Sequence, residues 1–313
     1  MYIKITNLGK TYTVRNTKER VQALKNINLE IDKGEIVGII GLNGAGKTTL
    51  MKILAGIIKQ TEGEIRVGDY VPYDKKKEYL HSLGLVMGQK TQLWWDIGAI
   101  DSFEIEKDIY KIPTNVYTKR MESMIDMLQV RDKIKTPVRQ LSLGERMKLE
   151  IILCLLHEPS LLLLDEPTLG LDILSQTSLR NFIYEYNREN KNTILITSHN
   201  LSDIDEICNK IILLDKGEVI FCGTKDELYD KYMHLKIISL DTIERIETMG
   251  YMCVKNSQYQ TEIVAQADEV ENIISRIKTA NNAVQCTTVK DIDLESIIRI
   301  IYDAKGDKIV SNN

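Results

Sequence analysis

A glycine-rich run at residues 41–49 has the residue types and spacing to bind phosphate. It reads GLNGAGKTT and follows an apolar stretch, Ile36 to Ile40, that is typical of a buried strand. In the pattern G-x-x-x-x-G-K-[ST], backbone N–H groups converge on phosphate oxygens, the lysine reaches the β and γ phosphates, and the hydroxyl ligates magnesium. We therefore expect a nucleotide phosphate site, with Thr48 as a magnesium ligand. Its residues are Gly41, Leu42, Asn43, Gly44, Ala45, Gly46, Lys47, Thr48 and Thr49.

The alternative for this run is a glycine-rich turn that merely precedes a helix. A strand, the loop and a helix starting near Thr48 follow one another in the order that a phosphate loop requires. The positive end of that helix dipole would then add to the attraction for phosphate. This order favours the phosphate site over the plain turn.

Two adjacent carboxylates form a second candidate group. Asp165 and Glu166 follow four leucines, Leu161 to Leu164, a run that predicts a strand buried on both faces. Such a strand delivers the residues after it to the carboxyl edge of the sheet, beside the phosphate loop. Asp165 would hold magnesium through its water shell, and Glu166 would polarise an attacking water. An acidic turn without chemistry is the alternative, and the phosphate loop argues against it.

The elements that position these groups alternate between strands and helices. Apolar and β-branched runs predict strands at about residues 2–6, 27–31, 36–40, 63–67, 161–164, 193–197 and 210–214. Helical periodicity is found at 117–130, 144–157, 174–190 and 201–208, and dominates the whole of 97–158. This alternation predicts an α/β fold with a mainly parallel sheet and a helical subdomain at about 97–158.

The pattern changes after residue 232. Strands are predicted at 235–240, 251–255, 259–264 and 284–290, with helices at 241–248, 268–279 and 293–303. This order suggests a small α+β ferredoxin-like unit. We therefore expect two domains, at residues 1–232 and 233–313.

Bulk properties exclude several classes of function. The 313 residues carry a net charge of -4, which gives no electrostatic reason to expect a nucleic-acid partner. No apolar run approaches the roughly 20 residues that would cross a bilayer, and the start of the chain lacks a secretory signal. We expect a protein that remains in the cytoplasm. The five cysteines are widely spaced and odd in number, which favours reduced thiols packed in the core.

A third motif brings in a resemblance to a known family. Residues 141–146, LSLGER, resemble the signature sequence of the nucleotide-binding subunit of ABC transporters, and they open a predicted helix. The resemblance implies a P-loop NTPase fold in which Ser142 and the backbone at Gly144 contact the γ phosphate of ATP on the opposite subunit. Two chains are then needed for each site, as a homodimer or a heterodimer. The usual sequence is L-S-G-G-Q, and this chain departs from it at Leu143 and Glu145.

Further residues match the same family in order. Asp172, in LGLD, resembles the D-loop residue that bridges the dimer. His199 resembles the switch histidine that contacts the γ phosphate and orients Glu166. Gln89 resembles the glutamine that senses magnesium and the attacking water, although Gln92 three residues later is an alternative. The remaining histidines are interpreted as ordinary surface or core residues.

Aromatic residues supply two more expectations from the resemblance. Tyr12 resembles the aromatic that stacks on adenine, with Tyr2, or no tyrosine at all, as the alternative. Trp94 and Trp95 are the two tryptophans of the chain and follow Gln89 closely. We interpret them as a docking surface for a membrane permease, because aromatic residues are enriched at interface hot spots. The alternative is that both pack inside the helical subdomain.

The resemblance implies an ATPase that works with ATP and Mg²⁺ at the cytoplasmic face of the cell membrane. Two subunits would close over two ATP molecules and drive transport through integral membrane permease subunits on a separate chain. Three features resemble bacterial type-two ABC exporters and favour export: the sequence GQKTQLWWD, the LSLG variant and the C-terminal extension. The alternatives are a soluble ABC ATPase that acts on ribosomes or DNA, and a regulatory protein without transport. The role of the C-terminal domain stays open among regulation, pairing with its twin and support of the dimer.

Overall fold

A computed structural model describes residues 1–13, 19–88, 90–243, 250–280 and 283–310, with side chains up to residue 303. The chain divides into two compact units, Met1–Thr224 and Lys225–Asn313. The helix at 225–232 therefore belongs to the second unit, whereas the sequence pattern grouped it with the first. No helix within the described residues is long and apolar enough to cross a membrane.

The first unit is built from nine strands and seven α-helices. Its strands are β1 (Ile3–Thr13), β2 (Arg20–Ile31), β3 (Ile36–Gly41), β4 (Glu62–Val67), β5 (Leu83–Met87), β6 (Leu161–Asp165), β7 (Thr193–Thr197), β8 (Lys210–Asp215) and β9 (Glu218–Thr224). Its α-helices are α1 (Lys47–Leu54), α2 (Lys77–His81), α3 (Ala99–Ile109), α4 (Thr114–Leu128), α5 (Leu143–Leu155), α6 (Ile173–Asn190) and α7 (Leu201–Ile207). These counts refer to the described residues. Strands β5 and β9 had no counterpart in the sequence pattern.

A six-stranded sheet forms the centre of this unit, in the order β5-β6-β7-β3-β8-β9. The first five of these strands are parallel, and β9 pairs antiparallel with β8. Strands β3, β6 and β7 are buried along their whole length, as expected for strands covered on both faces. Since neighbouring parallel strands end at the same edge, the segments after β3, β5, β6 and β7 lie side by side.

A second sheet packs against the first. It is antiparallel, in the order β2-β1-β4, and its apolar residues share one core with α1 and the six-stranded sheet. Ile5 and Leu24 from the small sheet, Leu50 from α1 and Leu163 from β6 are all fully or almost fully buried in it. This packing fixes α1, and with it the phosphate loop, on the large sheet.

The helical subdomain consists of α3, α4 and α5. These helices bury Phe103, Tyr117 and Ile125, and α5 also packs against β5. All three helices lie within residues 97–158.

The second unit contains α8 (Lys225–Tyr232), β10 (Leu235–Thr242), β11 (Cys253–Asn256), β12 (Gln260–Gln266), α9 (Val270–Ala280), β13 (Val284–Asp291) and α10 (Leu294–Val310). The strands form one antiparallel sheet in the order β11-β12-β10-β13, which is that of a ferredoxin-like fold. Most of the helix expected at 241–248 lies outside the described residues.

All five cysteines lie within the described residues, and none forms a disulfide. Cys154 and Cys208 are buried, as expected. Cys222 and Cys286 are exposed, so the expectation of core packing is wrong for these two. Both lie on strands with an open face, where a thiol fits without being enclosed.

Candidate active site

The phosphate loop connects the buried strand β3 to helix α1. Gly46 precedes the first helical residue and has φ 109°, a region that favours glycine. A Cβ atom at this position would lie 2.7 Å from the carbonyl oxygen of Ala23, so any side chain would also clash. The glycine at position 46 therefore meets two requirements of the structure, the positive φ and the close approach to Ala23.

Lys47 is a buried cation at the start of α1. Its Nζ donates to the carbonyl oxygens of Gly41, at 2.6 Å, and Leu42, at 3.5 Å. No carboxylate among the described residues lies within ion-pair distance of it. Burial lowers the pKa of Lys47, and the negative charges of Glu166 and Asp165 partly oppose this shift. A phosphate oxygen bound here would supply the charge-assisted partner that the ammonium lacks.

Asp165 ends strand β6 and is almost fully buried. Its Oδ1 accepts from the Thr197 hydroxyl at 2.7 Å and lies 3.4 Å from the Thr48 hydroxyl. Two oxygen donors this close suit Mg²⁺, which usually takes one or two protein oxygens and completes its shell with phosphate and water. The described residues hold no group of three or more His, Cys, Asp or Glu that could bind a metal without a nucleotide.

Glu166 is held in a left-handed backbone conformation, with φ 55°. Such a conformation is uncommon for glutamate, and strain of this kind clusters at functional sites. Its backbone N–H is fixed by Thr197, whose hydroxyl oxygen is 3.0 Å away. Its Oε1 lies 2.8 Å from Nε2 of His199, and both side chains are partly open to solvent.

Thr48, Asp165, Glu166 and His199 line one cleft of about 490 Å³ at the carboxyl edge of the sheet. Its described lining residues are Asn43, Thr48, Lys52, Met87, Gly88, Lys90, Asp165, Glu166, Leu169 and His199. Gln89 lies outside the described residues, between two residues of this lining. The alternative, Gln92, donates its side-chain amide to the carbonyl oxygen of Leu85 and is not among the lining residues.

The signature residues form a separate group at the start of α5. Ser142 caps this helix: its hydroxyl accepts from the Glu145 N–H at 3.2 Å, and its own N–H donates to the Glu145 carboxylate at 2.8 Å. This reciprocal pair is a capping box. Glu145 also pairs with Lys133 at 3.0 Å. The hydrogen bond from Ser142 is the main reason that the pKa of Glu145 is lowered.

The D-loop aspartate lies next to the signature. Asp172 caps α6 by accepting from Ser175, and this contact lowers its pKa. A Cβ atom on Gly144 would lie 2.4 Å from the Ser175 hydroxyl, so glycine permits a close approach of α5 to α6. Ser142, Gly144 and Asp172 are not among the described residues that line the cleft. Ile173 and Leu174 beside them are 79 % and 82 % exposed.

Tyr12 lies on β1 with its hydroxyl 3.5 Å from that of Thr49 in α1. Its ring is partly exposed, and Nζ of Lys10 lies 5.1 Å from the ring centroid. Tyr2 instead bonds Ser160, which precedes β6 at the opposite, amino edge of the sheet. Only Tyr12 of this pair is therefore close to the phosphate loop.

Both tryptophans are on the surface, so the interpretation that they pack inside the subdomain is wrong. Trp94 is 59 % and Trp95 50 % exposed. Thr91 and Gln92, which precede the tryptophans in the chain, are bound by Glu150, a buried carboxylate of α5. Glu150 accepts from the Thr91 hydroxyl and from the Gln92 N–H, the latter at 2.8 Å. Burial raises the pKa of Glu150, and these hydrogen bonds oppose the rise.

Sequence reasoning missed two of these positioning residues. Thr197 had a weak signal, since it is a polar residue that ends an apolar strand two positions before His199. Glu150 had a clearer one, because it is a single carboxylate within the apolar stretch LEIILCLL of α5. Their partners could not be found from spacing, because the contacts join distant parts of the chain.

Comparisons with known proteins show the family to which the chain belongs. A family model described as ABC transporter matches residues 24–169. The ABC transporter ATP-binding protein NatA of Bacillus subtilis is 33 % identical to the chain, covering 73 % of it and 92 % of NatA. The glucose import ATP-binding protein GlcV of Saccharolobus solfataricus is 30 % identical, covering 76 % of the chain and 67 % of GlcV.

A solved structure with a similar fold is the dimeric, post-hydrolysis state of the ATP-binding cassette MJ0796 bound to ADP and Pi. It is 27 % identical to the chain, covers 71 % of it and 98 % of MJ0796, and superposes with a TM-score of 0.62. The residues that the family model matches, 24–169, lie within the first unit.

Proposed function

The chain belongs to the ABC transporters as an ATP-binding subunit, and from this premise we propose that the cleft at the carboxyl edge of its sheet is where it hydrolyses ATP. The chain binds ATP and hydrolyses it. One observation carries the assignment to this cleft: the Glu166 carboxylate contacts His199 at 2.8 Å beside the buried Lys47 and Asp165.

Phosphate binding is assigned to the loop at residues 41–49. Its N–H groups and the start of α1 would surround the β and γ phosphates, and Lys47 would pair with them as a fixed charge. The support is that no carboxylate among the described residues forms an ion pair with this buried ammonium. Tyr12 is proposed to stack on the base, which its exposed ring beside Thr49 supports.

Mg²⁺ is proposed as the metal, with Thr48 and Asp165 as the residues that would hold it. Bound there with the nucleotide, it would neutralise charge on the phosphates. Thr197 would keep the Asp165 carboxylate in place through its 2.7 Å hydrogen bond. Gln89, by its place between two residues of the cleft lining, is proposed to sense magnesium and the attacking water.

Glu166 is proposed as the general base. Its carboxylate would accept a proton from the water that attacks the γ phosphate, and a neutral His199 would donate Nε2–H to the same carboxylate and hold its orientation. The 2.8 Å contact and the fixed left-handed backbone support this assignment. Most of the rate enhancement would come from positioning and charge neutralisation.

The second half of each site is proposed to come from another copy or a similar chain. Ser142, Gly144 and Asp172 would contact the ATP or the subunit opposite, because helix N-termini attract phosphate. Exposed Ile173 and Leu174 beside Asp172 support a contact surface there, since large apolar side chains are rarely this open.

Transport through a separate permease is proposed to use the tryptophan segment, residues 91–97. Exposed Trp94 and Trp95 are the type of residue that anchors interfaces. Such a partner would place the chain at the cytoplasmic face of a membrane. Export is proposed as the direction, on the resemblance of this segment to type-two exporters. In inside-out vesicles, ATP should then load transported compounds into the lumen, whereas depletion of the lumen would indicate import.

The Glu166→Gln variant tests the active site most directly. It should bind ATP with unchanged affinity but lose at least about 100-fold in turnover, since the base is removed while the phosphate contacts remain. An ATP-bound dimer should accumulate, which light scattering can detect. Glu158→Gln, which changes an exposed carboxylate before β6, serves as the control. Normal turnover in Glu166→Gln would show that another base operates.

A further inference from the structure

Asp203 is a completely buried carboxylate in α7, with 0 % of its side chain exposed. It does not line the cleft within the described residues. Burying a carboxylate costs free energy unless hydrogen bonds and an opposite charge compensate. The structure shows both, and the two hydroxyl donors come from the turns that carry Glu166 and His199.

Three side chains from different segments donate to this carboxylate. Oδ2 accepts from the hydroxyls of Thr168 and Ser198, the latter at 2.6 Å. Oδ1 accepts from Nη1 of Arg180 in α6 at 2.9 Å. The other side of the guanidinium pairs with Glu206, which is half exposed.

The two hydroxyl donors are close in sequence to the proposed catalytic pair. Thr168 lies two residues after Glu166, and Ser198 lies directly before His199. Both turns are thus tied to one oxygen atom of Asp203. A displacement of either turn would change the position of the carboxylate that holds the other.

We propose that Asp203 is a positioning residue for ATP hydrolysis, which sets the contact between Glu166 and His199 by holding both of their turns through a single carboxylate oxygen. This inference rests on the proposed function of the cleft. It assigns no contact with ATP to Asp203. Its prediction is that the two turns act as one unit rather than as two independently supported loops.

Position 203 requires a carboxylate because its three hydrogen-bond donors need two acceptor oxygens. Asp203 has two acceptor oxygens, one for the two hydroxyls and one for the guanidinium, whereas an asparagine has only one. In Asp203→Asn, either the hydroxyl pair or Arg180 must therefore lose its acceptor. The shape of the side chain is unchanged, so packing is preserved.

A double-mutant cycle in the full chain tests the coupling. Thr168→Val and Ser198→Ala should each lower kcat about tenfold and leave KM for ATP within about twofold, because binding contacts are intact. The double variant should be hardly slower than the slower single variant, since the first change already releases both turns. Thr168→Ser keeps the hydroxyl and should restore kcat. An additive loss of about 100-fold in the double variant, or losses confined to KM, would overturn the proposal.

Asp203→Asn provides a second test, with its fold checked by circular dichroism and thermal melting. It should lower kcat at least as much as either hydroxyl variant. Glu206→Gln, which removes only the outer partner of Arg180, is the matched control and should keep kcat. Wild-type kcat in a folded Asp203→Asn would overturn the proposal.

Different variants test the role of Glu166 and the role of Asp203. Full turnover in Glu166→Gln would contradict the proposed function. Arrest of Glu166→Gln together with additive effects of the two hydroxyl variants would contradict the role of Asp203 alone.

Discussion

Two regions of the first unit differ in where their side chains find partners: the cleft, and the surface around Ser142, Gly144 and Asp172, which we call the signature surface. In the cleft, Glu166 contacts His199, and Asp165 accepts from Thr197, all within one chain. At the signature surface, Ser142 and Asp172 cap their own helices, and their surroundings are open to solvent. This difference fits the proposal that one chain carries the residues for hydrolysis and offers Ser142 and Asp172 to a neighbouring chain.

The largest effect should follow the loss of the phosphate-binding charge. Lys47→Ala should weaken ATP binding at least about 100-fold, because Lys47 is the one buried lysine among the described residues. Calorimetric titration with ATP measures this. Lys59→Ala, at an exposed position after α1, is the control. Retained affinity in Lys47→Ala would remove the phosphate loop from the account.

A change outside both regions should have a smaller and selective effect. Trp94→Ala should reduce association with the membrane partner about tenfold, as for a typical interface anchor, while basal ATP turnover stays normal. Co-sedimentation with membranes of the source cells measures the association. Tyr184→Ala, an exposed aromatic on α6, is the control. Unchanged membrane association would separate the tryptophan segment from the permease.

The ion pair between Lys133 and Glu145 should affect dimerisation through the charge of the signature surface. Glu145 places a negative charge where the phosphate of a second chain would approach, and Lys133 at 3.0 Å neutralises it. In the Glu166→Gln background, Lys133→Ala should raise the ATP concentration for half dimerisation about threefold, and Glu145→Gln should lower it by a similar factor. Both shifts should shrink at high salt.

Lys135→Ala, at an exposed lysine two residues away, is the charge-matched control for Lys133→Ala. Equal shifts in Lys133→Ala and Lys135→Ala would mean that only net charge matters. In that case the pairing with Glu145 would have no specific role at the signature surface.

The smallest effect is expected on the stability of the fold and arises at His157, just after α5. Burial lowers the pKa of His157 to about 4, and its Nε2 contacts the carbonyl oxygen of Leu83 in β5. Since the pKa is lower in the folded state than the ordinary 6.5, stability is complete above about pH 6.5 and is lost as the pH falls toward 4. The loss at pH 5 should be about 2 kcal/mol at most.

Denaturant unfolding of the wild type and His157→Gln at several pH values measures this contribution. The glutamine variant cannot titrate, so the difference in free energy of unfolding between the two proteins should change between pH 6.5 and 4. A constant difference would show that folding does not shift the pKa of His157 and would contradict this prediction.

The sequence predicted the parts of the site that depend on local order. The phosphate loop, the acid pair and His199 each follow a buried strand, and parallel strands bring such segments to one edge. The exposure of Trp94 and Trp95 was undecided, because they lie in a loop without periodicity. Asp203 and Glu150 were not found, since Thr168 and Thr91, which donate to them, lie 35 and 59 residues away in the chain.

The lengths of the strands were also only partly predictable from the sequence. The sequence pattern gave β1 only residues 2–6, whereas the strand runs to Thr13 through several register shifts. Bulges of this kind interrupt the alternation of apolar residues on which strand prediction depends. Tyr12, the proposed adenine contact, lies in the part of β1 that the pattern did not predict.

The central claim is that each ATP site is completed by a second chain, and the dependence of turnover on protein concentration tests it most directly. At saturating ATP, the rate of hydrolysis per chain should fall as the protein is diluted below the dissociation constant of the dimer, and should recover on reconcentration. A rate per chain that stays constant while light scattering shows only monomers would contradict the claim.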